Sequence, residues 1–162
     1  MYPDFKELLS IFNAHRVKYL IVGGYAVGFH SQPRATKDLD LLVRPDPPNA
    51  QAVYDSLAQF GAPLETVTPE DFLDRRGIFR IGHAPVMIEI LTAIDGIEFD
   101  DAWERRVQVT IDGGADLYAP MISRDDLIAA KLATARPQDL ADVDAIRKAA
   151  AAQCPKDEED LK

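Results

Sequence analysis

Residues 21–43, IVGGYAVGFHSQPRATKDLDLLV, decide how the first half of this chain folds. One apolar run ends at Gly23-Gly24, and a second apolar run contains Asp38 and Asp40, separated by a single leucine. Side chains alternate along a strand, so the two aspartates share one face while the leucines between and after them point into the core. Like charges repel at this spacing and strands disfavour aspartate, so the pair requires a physical reason.

The composition is that of an ordinary globular protein. The chain has 162 residues, 47% hydrophobic and 28% charged, which is enough for one domain with a sizeable core. No apolar run approaches the roughly 20 residues of a membrane span, and the first ten residues lack the order of a signal peptide. The single Cys154 cannot form an internal disulfide. These features predict a cytoplasmic protein that does not engage a membrane.

The net charge of −9 bears on whether the chain is chiefly a nucleic-acid-binding protein. An acidic body argues against a protein that grips nucleic acid by neutralising many phosphates. It leaves room for a local basic groove, because Arg34, Lys37 and Arg44 flank the acidic pair. Residues 151–162 are predicted to form a flexible acidic tail.

The hydrophobic periodicity predicts an α+β domain, a mixed α/β arrangement in which a small mixed central sheet is flanked by helices. The single domain is expected over 1–150, with a core at about 5–120 and a C-terminal helical segment at about 123–150. Helices are predicted over 3–15, 25–30, 49–60, 68–75, 100–106, 123–135 and 137–152. Strands are predicted over 18–23, 38–43, 78–82 and 85–92, with a hairpin over 107–120 that turns at Gly113-Gly114.

Three features each allow a plain structural interpretation and a functional one. Asp38 and Asp40 are either the wet face of an amphipathic strand or ligands for a hard cation such as Mg²⁺. The glycine pair at 23–24 is either a tight strand-to-helix turn or a place where backbone N–H groups approach a phosphate. Glu89 lies inside an apolar run, so its carboxylate must be solvated, paired or bound to metal.

The conjunction of these features resembles the DNA polymerase β-like nucleotidyltransferase superfamily. The sequence has VGG, thirteen residues, then DLDL, with a third acid on a later strand. The segment ISRDDLIAAKLATARPQDLADVDAIR, residues 122–147, is similar to the helical part of small bacterial toxin–antitoxin and abortive-infection nucleotidyltransferases. Many members have Gly-Ser where this chain has Gly-Gly. The matching motifs nevertheless imply a nucleotidyltransferase-like fold over most of residues 5–147.

The resemblance also implies roles for particular residues. Asp38, Asp40 and Glu89 would be catalytic and would hold Mg²⁺ or Mn²⁺, with a nucleoside triphosphate as substrate. Nucleotide-binding positions would be Gly23, Gly24, Lys131, Arg34, Lys37 and Arg136. Structural alternatives remain open for the cations: a solvated loop for Arg34 and Lys37, and ion pairs with Asp139 and Asp142 for Lys131 and Arg136.

The function that follows is metal-dependent transfer of a nucleoside monophosphate to a hydroxyl of RNA, tRNA or protein, within a toxin–antitoxin or phage-defence system. A cognate toxin or antitoxin protein is the partner expected in that setting. Two alternatives stand beside it. The chain could modify a small molecule such as an antibiotic, or it could be a catalytically silent module that binds and neutralises a partner protein.

Overall fold

The computed structural model describes residues 1–113 and 116–154. Within these residues there are six α-helices and six strands, and the strands form one sheet. The helices are α1 (Pro3–Ala14), α2 (Gly23–His30), α3 (Pro47–Phe60), α4 (Phe99–Glu104), α5 (Arg124–Thr134) and α6 (Pro137–Gln153). The strands are β1 (Tyr19–Val22), β2 (Asp38–Val43), β3 (Ile78–His83), β4 (Val86–Leu91), β5 (Val107–Thr110) and β6 (Tyr118–Met121). The predicted α+β class is confirmed.

The sheet is mixed, and its strand order is β3-β4-β2-β1-β6-β5. Neighbouring strands are antiparallel in β1–β2, β3–β4 and β5–β6 and parallel in β2–β4 and β1–β6. β2 therefore lies between β1 and β4, in the interior of the sheet. This position brings the aspartates of β2 next to the end of β1 on one side and to β4 on the other.

The alternation predicted for β2 is present. Leu39 and Leu41 are fully buried, whereas Asp38 is exposed and Asp40 is half-buried. The buried leucines join one hydrophobic cluster that includes residues from α1, α3 and most of the strands. Burying an aliphatic side chain of this size contributes about 1.5–3 kcal/mol, so the core fixes the face on which the aspartates lie.

Local signals in the sequence account for most helix ends. The Asp46 carboxylate accepts a hydrogen bond from the backbone N–H of Asn49 at the start of α3, and Gly61 ends that helix in the left-handed conformation (φ 86°). The Ser123 hydroxyl accepts the corresponding bond from the N–H of Asp126 at the start of α5. Helix α3 begins at Pro47, two residues earlier than predicted, because proline is well suited to the first helical turn.

Other predicted boundaries differ in instructive ways. Helix α2 starts at Gly23 itself, so the glycines form its first turn and not a turn that precedes it. Residues 68–75 contain a short 3-10 helix, Pro69–Leu73, and α6 extends to Gln153. Gly114, half of the predicted hairpin turn, lies outside the described residues, as does the predicted tail from residue 155 onward. Within the described ranges, no helix is long and apolar enough to cross a membrane.

Candidate functional site

The structure brings two of the three predicted acids together. Asp40 on β2 and Glu89 on β4 are direct register partners in the parallel pair, so their side chains project from the same face of the sheet. Asp38 lies on that same face two residues earlier and is paired in register with Met87. The pairing could not be read from the sequence, because residues 40 and 89 are far apart in the chain.

Burial and the neighbouring acids together raise the pKa of Asp40 to about 6. Burial of the carboxyl group is the main cause, and the negative charge of Glu89 beside it adds to the effect. The two carboxyl groups are close enough to share a proton, and the charge of Asp38 acts in the same direction. A hydrogen bond from the backbone N–H of Gly24 opposes the rise by stabilising the ionised form.

The glycine pair has a structural reason that the sequence does not disclose. Gly23 has a positive φ of 64°, and a Cβ there would lie 2.7 Å from Cγ of Asp40, closer than such atoms approach. Gly24 follows, and its N–H donates to the Asp40 carboxylate. Gly23 thus makes room for the Asp40 side chain at the N-terminus of α2, whereas a Cβ at Gly24 would lie 2.8 Å from Cγ2 of Thr36. The phosphate-binding role expected of these glycines stays a prediction.

Residues 1–113 and 116–154 do not contain a preformed metal centre. No group of three or more His, Cys, Asp or Glu side chains in these ranges is arranged to hold a metal ion. The Asp40–Glu89 pair nevertheless fits a hard divalent cation. Two oxygen-donor carboxylates face each other, and burial and mutual repulsion both raise the pKa of Asp40. A cation held by these carboxylates would supply the charge that offsets both effects.

Arg80 is a neighbour of the acidic pair that the sequence-based prediction missed. It lies on β3 in direct register with Glu89, and its Nε donates to Glu89 Oε1 at 2.6 Å. Its guanidinium side chain is 58% exposed, whereas the side chain of Glu89 is 27% exposed. Alternation placed Arg80 on the polar face of β3, but only the register of the β3–β4 hairpin places it opposite Glu89.

The cations predicted to bind nucleotide are largely engaged in a buried ionic cluster. Lys131 on α5 donates to Asp139 at 3.2 Å and pairs with Asp142 at 2.8 Å, and both aspartates on α6 are buried. The Arg136 Nε donates to Asp139 at 2.7 Å, and the Arg34 Nη1 donates to Asp142 at 2.8 Å. The ion pairs considered for Lys131 and Arg136 are therefore present. Hydrogen bonds from these cations hold the pKa of Asp139 well below its usual range.

Arg34 reaches from this cluster to the glycine pair. Its Nη2 is 3.7 Å from the position that a Cβ of Gly24 would occupy, while its Nη1 is held by Asp142. The side chain of Arg34 is 40% exposed. Arg34 therefore lies beside the N-terminus of α2. Lys37 is exposed and forms no ion pair with any residue in the described ranges.

A cavity of about 870 Å³ opens farther along the sheet. It is bordered by Leu42, two residues after Asp40 on the same face, and by Thr92, three residues after Glu89. The rest of its wall comes chiefly from the 93–101 segment and carries more acidic than basic groups. None of Asp38, Asp40 and Glu89 lines this cavity.

One protein family matches almost the whole sequence, and two solved structures have a similar fold. Residues 4–156 match the family described as "Nucleotidyltransferase of unknown function (DUF6036)". No curated protein matches the sequence significantly. The lincosamide antibiotic adenylyltransferase LnuA, solved with lincomycin bound, is 14% identical, with a TM-score of 0.52 over 91% of this chain and 96% of that one. A candidate nucleotidyltransferase from Thermotoga maritima is 11% identical, with a TM-score of 0.54 over 92% and 91%. At these identities the likeness concerns the fold.

Proposed function

The chain belongs to the DUF6036 family of nucleotidyltransferases, and on this premise we propose that it transfers a nucleoside monophosphate from a nucleoside triphosphate to an acceptor hydroxyl. The observation that carries the proposal is the register pair Asp40–Glu89, two facing carboxylates beside the N-terminus of α2. Two facing carboxylates destabilise a strand that is purely structural, whereas a metal-dependent transferase requires such carboxylates as ligands.

Asp38, Asp40 and Glu89 are the proposed ligands of Mg²⁺ or Mn²⁺. When bound, the metal would neutralise charge on the phosphate oxygens in the transition state. In the transfer, the acceptor oxygen forms a bond to the α-phosphorus, the bond from that phosphorus to the bridging oxygen breaks, and pyrophosphate leaves. Glu89 is the proposed acceptor of the hydroxyl proton, since it is the acid farthest from the glycine pair in the order of strands.

The triphosphate is proposed to lie at the N-terminus of α2. Backbone N–H groups and the positive end of the helix dipole favour anions there. Arg34 supports this position, because Asp142 fixes one of its nitrogens while the other faces Gly24. Lys37 is proposed as a further phosphate contact from the exposed loop.

Lys131 and Arg136 are ion-paired with Asp142 and Asp139. We therefore propose that they position Arg34 and α6 and do not themselves bind nucleotide.

The proposed acceptor is a hydroxyl of RNA, tRNA or protein, in a toxin–antitoxin or phage-defence setting with a cognate partner protein. This part of the proposal rests on the similarity of residues 122–147 to enzymes of that kind. The acidic balance of the chain makes a protein hydroxyl the better fit of these acceptors, because a polyanionic RNA would meet unfavourable charge.

A small-molecule acceptor is the second candidate, and the 870 Å³ cavity favours it. Cavities of this size suit compact ligands. Arg44 and Arg105 on its wall are paired with Asp100 and Asp126, which leaves acidic groups such as Asp95 and Asp101 in excess. A compact hydroxyl compound that carries positive charge fits this wall.

A transfer assay tests the proposal and separates the acceptors. The purified protein is incubated with each α-³²P-labelled nucleoside triphosphate and Mg²⁺ or Mn²⁺, together with cellular RNA, cellular protein or a panel of amino-sugar compounds, and pyrophosphate is measured in parallel. We expect label in one acceptor class and none with Glu89→Gln. Pyrophosphate no higher than with Glu89→Gln in every mixture would favour the silent binding module.

A further inference from the structure

Arg80 and Glu89 form the one ion pair on the exposed part of the sheet face that carries the proposed metal ligands, as far as the described residues go. The two side chains are register partners on adjacent antiparallel strands, so the strands themselves hold them together. The Nε–Oε1 distance of 2.6 Å is that of a charge-assisted hydrogen bond. Glu89 therefore already has a cationic partner before any ligand arrives.

We propose that Arg80 is an exchangeable counter-ion of Glu89: a divalent cation must displace it, and the freed guanidinium then contacts the phosphate chain of the bound nucleotide. This inference rests on the proposed function and adds to it a residue that neither the family match nor the motifs single out.

The displacement step follows from competition for the same oxygen. Arg80 occupies Glu89 Oε1, and a cation held by the Glu89 and Asp40 carboxylates would need an oxygen of Glu89. The arginine is 58% exposed and lies on an edge strand, so it can turn away without disturbing the core. An exposed ion pair is worth only about 0.2–1 kcal/mol, which a divalent cation with two carboxylate ligands can exceed.

The second step follows from charge and position. Once Glu89 holds a divalent cation, a guanidinium beside it loses its anionic partner and is repelled by the metal. The nearest anion in the proposed complex is the triphosphate, and guanidinium groups bind phosphate oxygens through paired N–H donors. Arg80 would thus face the nucleotide from β3, across the acidic pair from Arg34.

The test compares wild type with Arg80→Gln, and it uses Arg76→Gln as the matched control. Arg76 lies four residues upstream, is exposed and forms no ion pair with residues 1–113 or 116–154. Mn²⁺ binding without nucleotide is followed by electron paramagnetic resonance. Binding of a non-hydrolysable nucleoside triphosphate in saturating Mn²⁺ is followed by calorimetry. Neither measurement requires turnover.

We expect Arg80→Gln to bind Mn²⁺ alone more tightly, by up to about fivefold, since the competing cation is gone. It should bind the nucleotide analogue about three- to tenfold more weakly. Arg76→Gln should match wild type in both. Unchanged or weaker Mn²⁺ binding by Arg80→Gln, or nucleotide binding equal to wild type, overturns the proposal and leaves the proposed function standing. A wild-type protein that binds neither Mn²⁺ nor any nucleotide overturns both. Arg80→Lys, which keeps the charge, should lie between wild type and Arg80→Gln.

Discussion

Asp40 and Glu89 lie side by side on neighbouring parallel strands, at positions that pair directly in register. Burial of the Asp40 carboxyl group, together with the repulsion between the two acids, raises the pKa of Asp40 to about 6. The fold maintains this unfavourable arrangement next to Gly23, whose missing side chain gives the Asp40 carboxyl group its space. A site held at a cost to stability is the pattern expected where a ligand supplies the missing charge.

The effect of the ionised Asp40 on the free energy of unfolding should be measurable by neutralising this residue. Asp40→Asn keeps an oxygen that accepts from the Gly24 N–H and gains an amide that can donate to Glu89. It also removes the buried charge and its repulsion by Glu89. Because about two pKa units correspond to about 3 kcal/mol, the variant should be more stable than wild type by up to about 3 kcal/mol at pH 7.5 in EDTA. Chemical denaturation gives the difference. Asp55→Asn, a change on the exposed surface of α3, should lie within about 0.5 kcal/mol of wild type.

The same group predicts how stability depends on pH. The folded-state pKa of Asp40 is about 6, above the ordinary value of 3.8. The free-energy penalty for ionising Asp40 in the folded protein is therefore fully present only above about pH 7. The penalty is relieved as the pH falls from about 7 to about 4. The stability of metal-free wild type relative to Asp40→Asn should therefore increase over this range. Parallel stability curves for the two proteins, measured in EDTA, would contradict the raised pKa.

Gly23 should tolerate alanine less well than another left-handed glycine. Gly61 has a φ of 86° and nothing within 4 Å of an added Cβ, so Gly61→Ala should cost only the backbone strain of about 1–2 kcal/mol. Gly23→Ala adds the collision with Asp40 and should cost about 1–3 kcal/mol more. Because the Asp40 Cβ alone would lie 2.9 Å from the new methyl group, glycine is the relieving change at position 40. Gly23→Ala on an Asp40→Gly background should cost little more than Gly61→Ala. Equal losses for Gly23→Ala and Gly61→Ala would show that Asp40 does not occupy the space.

Lys131 should matter for stability before it matters for nucleotide binding. Lys131→Met leaves Asp139 and Asp142 buried with less compensating charge, and should destabilise the protein by about 2–4 kcal/mol. Lys148→Met, which removes an exposed lysine paired with Asp144 on α6, should cost no more than about 0.5 kcal/mol. Unfolding curves compare the two. If Lys131→Met were as stable as Lys148→Met but bound nucleotide poorly, Lys131 would be a direct ligand of the nucleotide.

The sequence predicted the fold class and most elements because local physics determines them. Clean alternation in DLDLLV gave the bounds of β2, and capping residues such as Ser123 gave the start of α5. Register between distant strands is not a local property, so the pairing of Glu89 with Asp40 came only from the structure. Arg80 and Glu89 lie on consecutive strands of one hairpin, and their pairing depends on where its turn lies. The reason for Gly23 likewise depends on a side chain seventeen residues away, which no local pattern encodes.

The cluster around α6 shows the same division. Ion pairs for Lys131 and Arg136 were among the alternatives because Asp139 and Asp142 are three residues apart on one helix. The link from Asp142 back to Arg34, 108 residues earlier, was not foreseen. It joins the C-terminal helix to the N-terminus of α2, and this contact makes Arg34 a stronger candidate than its position in a polar loop had suggested.

The measurement that tests the central claim most directly is thermal unfolding with ATP, GTP, CTP and UTP, each with Mg²⁺ and with EDTA, for wild type and Asp40→Asn. A ligand at 100 times its dissociation constant adds about 2.7 kcal/mol, which is several degrees for a domain of this size. We predict such a rise in wild type for at least one nucleotide, only with Mg²⁺, and no rise in Asp40→Asn. An absence of any rise in well-folded wild type, or an equal rise in Asp40→Asn, would contradict a metal-dependent nucleotide site at the Asp40–Glu89 pair.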